Sequence, residues 1–210
     1  MTQKIAPTRG NMVKFASSLK LARKGRDLLE QKRTILLMEL TGKIREARDL
    51  QRDLELVFSD AYFSLQMAGL SVGIDNVEEL AYSVPEVQDF TIRLHFVMGV
   101  EIPKVDPMEK PPVPCYSFLG TSGALDAAYS RAQDVLALIA RLAEVETSVY
   151  RLAVQIRKTF RRVNALEKVV IPSNKRTLAW IANVLEENDR EDFTRMKMAR
   201  KNTSEGGGAR

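Results

Sequence analysis

Cysteine occurs once in the 210 residues, at Cys115, and tryptophan and histidine also occur once each. A single thiol excludes an intrachain disulfide and any metal site built from several cysteines, and it fits a reducing, intracellular compartment. Aromatic residues make up only 7% against 28% charged residues. That is too few for a thick globular core. Together with abundant Leu, Ala, Arg, Lys and Glu it points to long helices. The longest stretch without a charged side chain runs from Pro111 to Leu125. It is broken by Pro and Gly and falls short of the roughly 20 apolar residues that span a bilayer, so no direct membrane span is expected. Met1-Thr2-Gln3-Lys4 opens no apolar run, so no secretory signal is expected either.

The charge that is present is unevenly placed. Residues 1–60 hold 13 basic and 8 acidic side chains, 61–130 hold 3 and 9, and 131–210 hold 16 and 10. Two basic arms therefore flank an acidic middle. The tail 202–210, rich in glycine, reads as a flexible end and carries no fold information.

Apolar residues recur at alternating spacings of three and four from Met12 through Phe15, Leu19, Ala22, Arg26, Leu29, Arg33, Leu36, Leu40, Lys43, Ala47, Leu50, Leu54, Val57 and Ala61 to Ser64. Twelve of these sixteen positions are apolar and no proline interrupts them. A seven-residue repeat held this long imposes a left-handed supercoil. At 1.5 Å per residue the run is about 80 Å of helix, too long for a compact domain. Thr8 after Pro7 is the expected N-cap, and Gly69 and Gly73 mark the end. A second seam runs Leu125, Ala128, Ala132, Val135, Ile139, Leu142, Glu146, Val149, Ala153, Ile156, Phe160, Val163, Glu167, Val170. Pro172 is expected to kink or briefly break it, and Leu178, Ile181, Leu185 and Met196 continue beyond.

The expected fold is mainly α: a long antiparallel two-helix left-handed coiled coil with a small β-hairpin region between the helices. Its parts are an N-terminal helix over 1–69, a hairpin and Pro-rich connection over 70–123, and a C-terminal helix over 124–201. Charged seam positions suggest the register. Lys43 would meet Glu146 if paired positions sum to about 189, and Arg26 would lie about one turn from Glu167. These four side chains either fix register at some cost in stability or snorkel to water.

The segment 70–123 holds six of the eight prolines. Within it Val87–Val97 alternates apolar and polar residues, placing Phe90, Ile92, Leu94 and Phe96 on one face. Met98-Gly99 reads as a turn and Val100–Val105 as a second strand. His95 has no cluster of ligand-type neighbours and reads as a surface residue, and Cys115 lacks a nearby His to activate it.

No catalytic motif emerges. Gly42-Lys43 lacks the earlier Gly and the following Ser or Thr of a phosphate loop, since those places hold Leu37 and Ile44. Gly120-Thr121-Ser122-Gly123 is better explained by helix capping. No catalytic, cofactor-binding or metal-binding residues are expected, and the chain reads as a mechanical or interaction protein rather than an enzyme.

Certain local runs are more specific. Leu19-Lys20-Leu21-Ala22-Arg23-Lys24-Gly25-Arg26-Asp27-Leu28-Leu29-Glu30-Gln31-Lys32-Arg33 follows Pro7-Thr8-Arg9. Arg161-Arg162-Val163-Asn164-Ala165-Leu166-Glu167 precedes Ile171-Pro172. The end carries Leu185-Glu186-Glu187-Asn188-Asp189-Arg190-Glu191-Asp192. With these runs the chain resembles the D subunit of the vacuolar/archaeal-type (V-type) rotary ATPase, most closely over 7–60 and 125–200. The resemblance implies a central-stalk rotor shaft in the cytoplasmic sector, peripheral to the membrane. The shaft couples ATP hydrolysis or synthesis in a ring of catalytic A and B subunits to rotation of the ion-translocating ring. It also implies binding to the F subunit through the hairpin region and to the C subunit, called d in eukaryotes, at the foot. The coincident basic runs leave Lys20, Arg23, Lys24, Arg161, Arg162 and Lys168 either as a solvated charged face or, on the resemblance, turned towards the A/B ring. On the resemblance the hairpin turns Phe90, Ile92, Val100 and Ile102 towards the F subunit; the other reading is that the coil itself covers part of the hairpin's apolar surface.

Two other readings share part of the pattern. A prefoldin-like chaperone also has helix, hairpin, helix order, but its helices are shorter and the helix after Pro172 has no place there. A nucleic-acid-binding coiled coil would use the basic arms, but no aromatic stacking platform accompanies them.

Overall fold

The computed structural model describes residues 5–84, 90–106, 116 and 120–206, with the backbone alone for 201–206. The expected strand start at Val87, the lone Cys115, most of the Pro-rich connection and the end of the glycine tail lie outside the described residues. The elements in order are helix α1 (Arg9–Val72), short helix α2 (Ile74–Ala81), strands β1 (Ile92–Val97) and β2 (Val100–Val105), helix α3 (Gly123–Ala165), a π-helical turn (Leu166–Val170) and helix α4 (Ile171–Gly206). The chain forms two compact units, residues 1–33 with 158–210 and residues 34–157.

Helix α1 starts where the capping chemistry dictates. Thr8 Oγ1 accepts a hydrogen bond from the Asn11 N–H at 3.3 Å, satisfying a donor that a helix start leaves free, and Thr8 C=O accepts the first helical bond from the Met12 N–H at 3.0 Å. The helix ends before Gly73, whose φ of 94° suits a residue without a Cβ. The 3-4 spacing reads its buried stripe well. From Phe15 to Ser64 every seam position is buried or half-buried, and Ala68 extends the stripe.

In the first unit α1 runs antiparallel to α3 and α4. Arg9 pairs with Asp189 at 3.2 Å, Asn174 Nδ2 donates to Ser18 Oγ at 3.3 Å, and the Arg33 guanidinium lies 5.9 Å from the Phe160 ring centroid. Leu19, Ala22 and Ile171 form the buried core of this stretch, with Leu166 against them. In the second unit the antiparallel sense repeats: Arg131 reaches Asp60 at 3.6 Å, and the Ser71 and Ser122 hydroxyls lie 2.7 Å apart. This is the packing of a two-helix coiled coil, whose 3.5-residue repeat is left-handed.

The seam of α3 differs from the spacing read in sequence. Val135, Val145, Leu152 and Val163 are buried, and Leu138, Leu142, Val149 and Ile156 are half-buried, whereas Ile139, Glu146, Ala153 and Phe160 face solvent. Alternate seam members are thus displaced by one residue. The displaced frame buries Val145 and Leu152 and leaves the Glu146 carboxylate in water, avoiding the cost of desolvating a charge.

The hairpin joins β1 to β2 antiparallel, with Ile92 opposite Val105, His95 opposite Ile102 and Val97 opposite Val100. Its two-residue turn has positive φ at both Met98 (50°) and Gly99 (74°), the handedness that matches strand twist.

Candidate functional site

Among the described residues no group of three or more His, Cys, Asp or Glu is placed to hold a metal ion. Gly42 and Lys43 lie inside α1. At the start of α3 the Ser122 C=O accepts from the Leu125 N–H at 2.9 Å, so this loop serves as a helix cap. Three surfaces of the described residues stand out.

The first surface is basic. Lys20, Arg23 and Lys24 on α1, Arg161 and Arg162 on α3, and Lys168 in the π-turn are all exposed. The Ser18–Asn174 and Arg33–Phe160 contacts bracket these residues, so both basic runs occupy one length of the first unit. None of the six forms an ion pair with a described residue. Arg26 behaves differently. It bonds to its neighbour Asp27 at 2.7 Å, and that bond raises its pKa above the ordinary arginine value, with a smaller contribution from Glu167.

The charged seam positions do not pair as their spacing suggested. Lys43 bonds to Glu46 on its own helix at 2.8 Å. Glu146 is exposed and accepts instead from Gln51 at 3.1 Å, and Glu167 is exposed. Half-buried Arg26 and Lys43 reach carboxylates within their own helix turn, which costs less chain ordering than reaching across.

The second surface is the hairpin. Direct cross-strand partners share a face, and the observed register divides the expected contact residues between two faces. Val100 and Ile102 are only 7% exposed and form a core with Leu36 and Leu152, with Val97 packed alongside. They are the hairpin's anchor rather than an open surface. Ile92, Leu94 and Phe96 turn the other way and are more than half exposed, and Phe90 just before β1 is exposed as well.

A third surface was not singled out in sequence. Ala68, Tyr116, Leu125 and Ala128 form a buried cluster, with Val77, Leu80 and Tyr129 against it. Beside it a hollow of about 440 Å³ is lined by Phe58, Tyr62 and Leu65 of α1, Leu80 of α2, and Tyr129 and Leu136 of α3, among others. Asp60, Asp75, Glu78 and Glu79 are exposed on α1 and α2. A signal for this surface was present: Phe58, Tyr62, Phe63, Leu65, Met67 and Leu70 are apolar residues off the seam, crowded into the last part of one helix.

Two helices packed along a heptad seam, with a hairpin docked on them, define a coiled-coil protein. Comparison with known proteins makes this specific. The family of the ATP synthase D subunit matches residues 11–201. A V-type ATP synthase D subunit of Thermotoga neapolitana is 45% identical, over 92% of this chain and 95% of the relative. An A-type ATP synthase D subunit of Pyrococcus furiosus is 39% identical, over 92% of both chains. A V-type ATP synthase D subunit of Treponema pallidum, numbered 2 in that organism, is also 39% identical, over 91% of both. The chain belongs to the ATP synthase D-subunit family and is part of a rotary ATPase complex. No helix among the described residues is long and apolar enough to cross a membrane.

Proposed function

We propose that this chain is the central-stalk rotor shaft of its complex. It couples nucleotide turnover in a ring of A and B subunits to rotation of the membrane ring, and it is itself non-catalytic. Membership of the D-subunit family supports the complex, and the unpaired basic surface of the first unit carries the role. Concentrating Lys20, Arg23, Lys24, Arg161, Arg162 and Lys168 on one length of a two-helix unit is unfavourable without an acidic partner. The surrounding A/B ring supplies one. Two unlike helices also present a different face at each rotation angle. Energy conversion is then a coupling free energy between shaft angle and nucleotide occupancy.

The other surfaces suit the other partners of a stalk. The exposed face of Phe90, Ile92, Leu94 and Phe96 suits the F subunit, with Val100 and Ile102 holding the hairpin in place for it. The apolar hollow beside α2, with acidic side chains nearby, suits the C or d subunit at the foot. The complex would sit on the cytoplasmic face of the membrane. Purification of the tagged full chain from its native host tests this reading. A-, B-, F- and C-type subunits are expected to co-purify in a complex with ATPase activity. A chain that emerges with substrate-loaded chaperone subunits, or with nucleic acid alone, would overturn it.

A further inference from the structure

The seam between Val163 and Ile171 holds one residue too many. Val163 and Ile171 are both buried, yet they are eight positions apart, where a heptad returns to the same face after seven. Beyond them the repeat resumes, with Ile181 buried and Asn174, Leu178 and Leu185 half-buried. The extra residue is absorbed by the π-turn Leu166–Val170, where the Ile171 N–H bonds to the Leu166 C=O five residues back.

The sequence supplies both ingredients of this step. Val170 and Ile171 are adjacent apolar residues, so either frame has a side chain to offer. Pro172 cannot donate the α-helical bond to the Lys168 C=O, and its ring crowds that carbonyl. The helix therefore opens by one residue just before the proline, and Ile171 rather than Val170 meets Leu19 and Ala22. No residue of the turn is buried, and Val169 is 64% exposed. The turn thus sits between well-packed stretches while contributing only the edge of Leu166 to the core.

We propose that the π-turn Leu166–Val170 is a built-in phase step. Its inserted residue keeps α4 in register with α1, and its thin packing makes it the place where the packed stretch from Val163 to Ile181 opens first. Without the step, a continuous α-helix would turn Ile171, Leu178 and Ile181 away from α1 by about 100°. With it, the helix carries a point of local yielding inside an otherwise continuous seam. Turns that bury little apolar surface occupy the low end of local stability.

Single-residue deletion and insertion in the full chain separate this from an incidental bulge. Both changes are made with Pro172→Ala, so that a straight helix is not penalised by the ring. Deleting Val169 restores a seven-residue spacing, and the variant should keep the helix content and melting temperature of Pro172→Ala alone. Inserting one alanine after exposed Lys175 in the same background adds a second surplus residue that no single π-turn absorbs, and its melting temperature should fall by at least about 5 °C. Equal damage from the Val169 deletion and this insertion would overturn the phase step. Hydrogen exchange on the unmodified chain gives a second measure. Amides of 168–171 should exchange at least about tenfold faster than those flanking Val163 and Ile181, and the Val169 deletion should remove the difference. Uniform exchange across 160–181 would overturn the local yielding.

Discussion

Tyr116 donates a 2.6 Å hydrogen bond from its hydroxyl to Asp126 Oδ1 on the first turn of α3. The ring is buried, with Tyr129 edge-on at 5.8 Å between centroids. Burial, and then the Asp126 carboxylate, push the Tyr116 pKa up to about 12. An unfolded tyrosine ionises near 10. Between those values the unfolded chain has lost a proton that the folded chain still holds, so stability falls as pH rises through roughly 10 to 12. The stabilisation present below pH 10 is on the order of 2 kcal/mol from this group. Tyr116→Phe keeps the ring and should cost about 1 kcal/mol at neutral pH. It should also flatten the decline between pH 10 and 12, which urea melts across that range would read. An unchanged decline would mean that other groups cause it.

The hairpin turn stores a removable cost. Met98 has φ of 50°, a region where an L side chain crowds its own backbone at about 1 kcal/mol. Met98→Gly or Met98→Asn should therefore hold or raise stability by a few tenths to 1 kcal/mol. The side chain is exposed, so little packing is lost to offset the gain. Thermal melts of the full chain test this. A clear loss of stability in both variants would show that Met98 makes a contact worth more than the strain.

Opposite faces of the hairpin should respond differently to charge. Ile102→Asp puts a carboxylate against Leu36 and Leu152, both of which have no exposed surface. A loss of about 3 kcal/mol or more is expected, because the charge is buried without a partner. Ile92→Asp and Phe96→Asp lie on the open face and should change stability by about 0.5 kcal/mol at most, while weakening binding of the F subunit. Denaturant melts and a pull-down with that partner separate the two. If Phe96→Asp unfolds the hairpin as Ile102→Asp does, the face assignment is wrong.

The α1 seam was legible because a single apolar stripe holds its three-four spacing all the way from Met12 to Ser64. In α3 two stripes compete: Ile139, Ala153 and Phe160 offer one, Leu138, Val145 and Leu152 the other. Sequence spacing alone does not rank them, but burial does, because the second stripe keeps Glu146 in water. The hairpin was readable from its alternation and from Met98-Gly99. Its orientation was not, since both faces carry apolar residues and a one-residue shift exchanges them. The π-turn had a visible cause in Pro172. Its form, an inserted residue rather than a kink, depends on Ile171 finding Leu19 and Ala22 on a helix far away in sequence. The hollow beside α2 depends on Tyr116 and α3 closing over α1, which no local pattern encodes.

The basic surface yields the sharpest test of the shaft reading. Arg161 and Arg162 are adjacent on α3, exposed, and without an ion pair among the described residues. Reversing both to Glu removes no buried contact, so the isolated chain should keep its helix content and melt within about 1 kcal/mol of the unmodified protein. What should change is assembly. Exposed charges act over about 8–10 Å at ordinary ionic strength, so a ring held partly by acidic loops around this length should bind the variant several-fold more weakly. The salt response separates attraction from bulk. The unmodified chain should lose ring affinity as salt rises, and the variant should bind weakly at low salt with a flatter or opposite trend. Glu78→Lys with Glu79→Lys, on α2 of the other unit, is the control, because it changes net charge as strongly, with the opposite sign, at residues outside the proposed collar. It should leave ring assembly nearly untouched and weaken attachment of the foot partner instead. Native gels of reconstituted A/B rings titrated against salt read all three proteins together. Equal losses from the arginine and glutamate pairs, whose changes in net charge are opposite in sign, would show that the loss is not specific to the collar, and no loss from the arginine pair would likewise remove the collar from the mechanism.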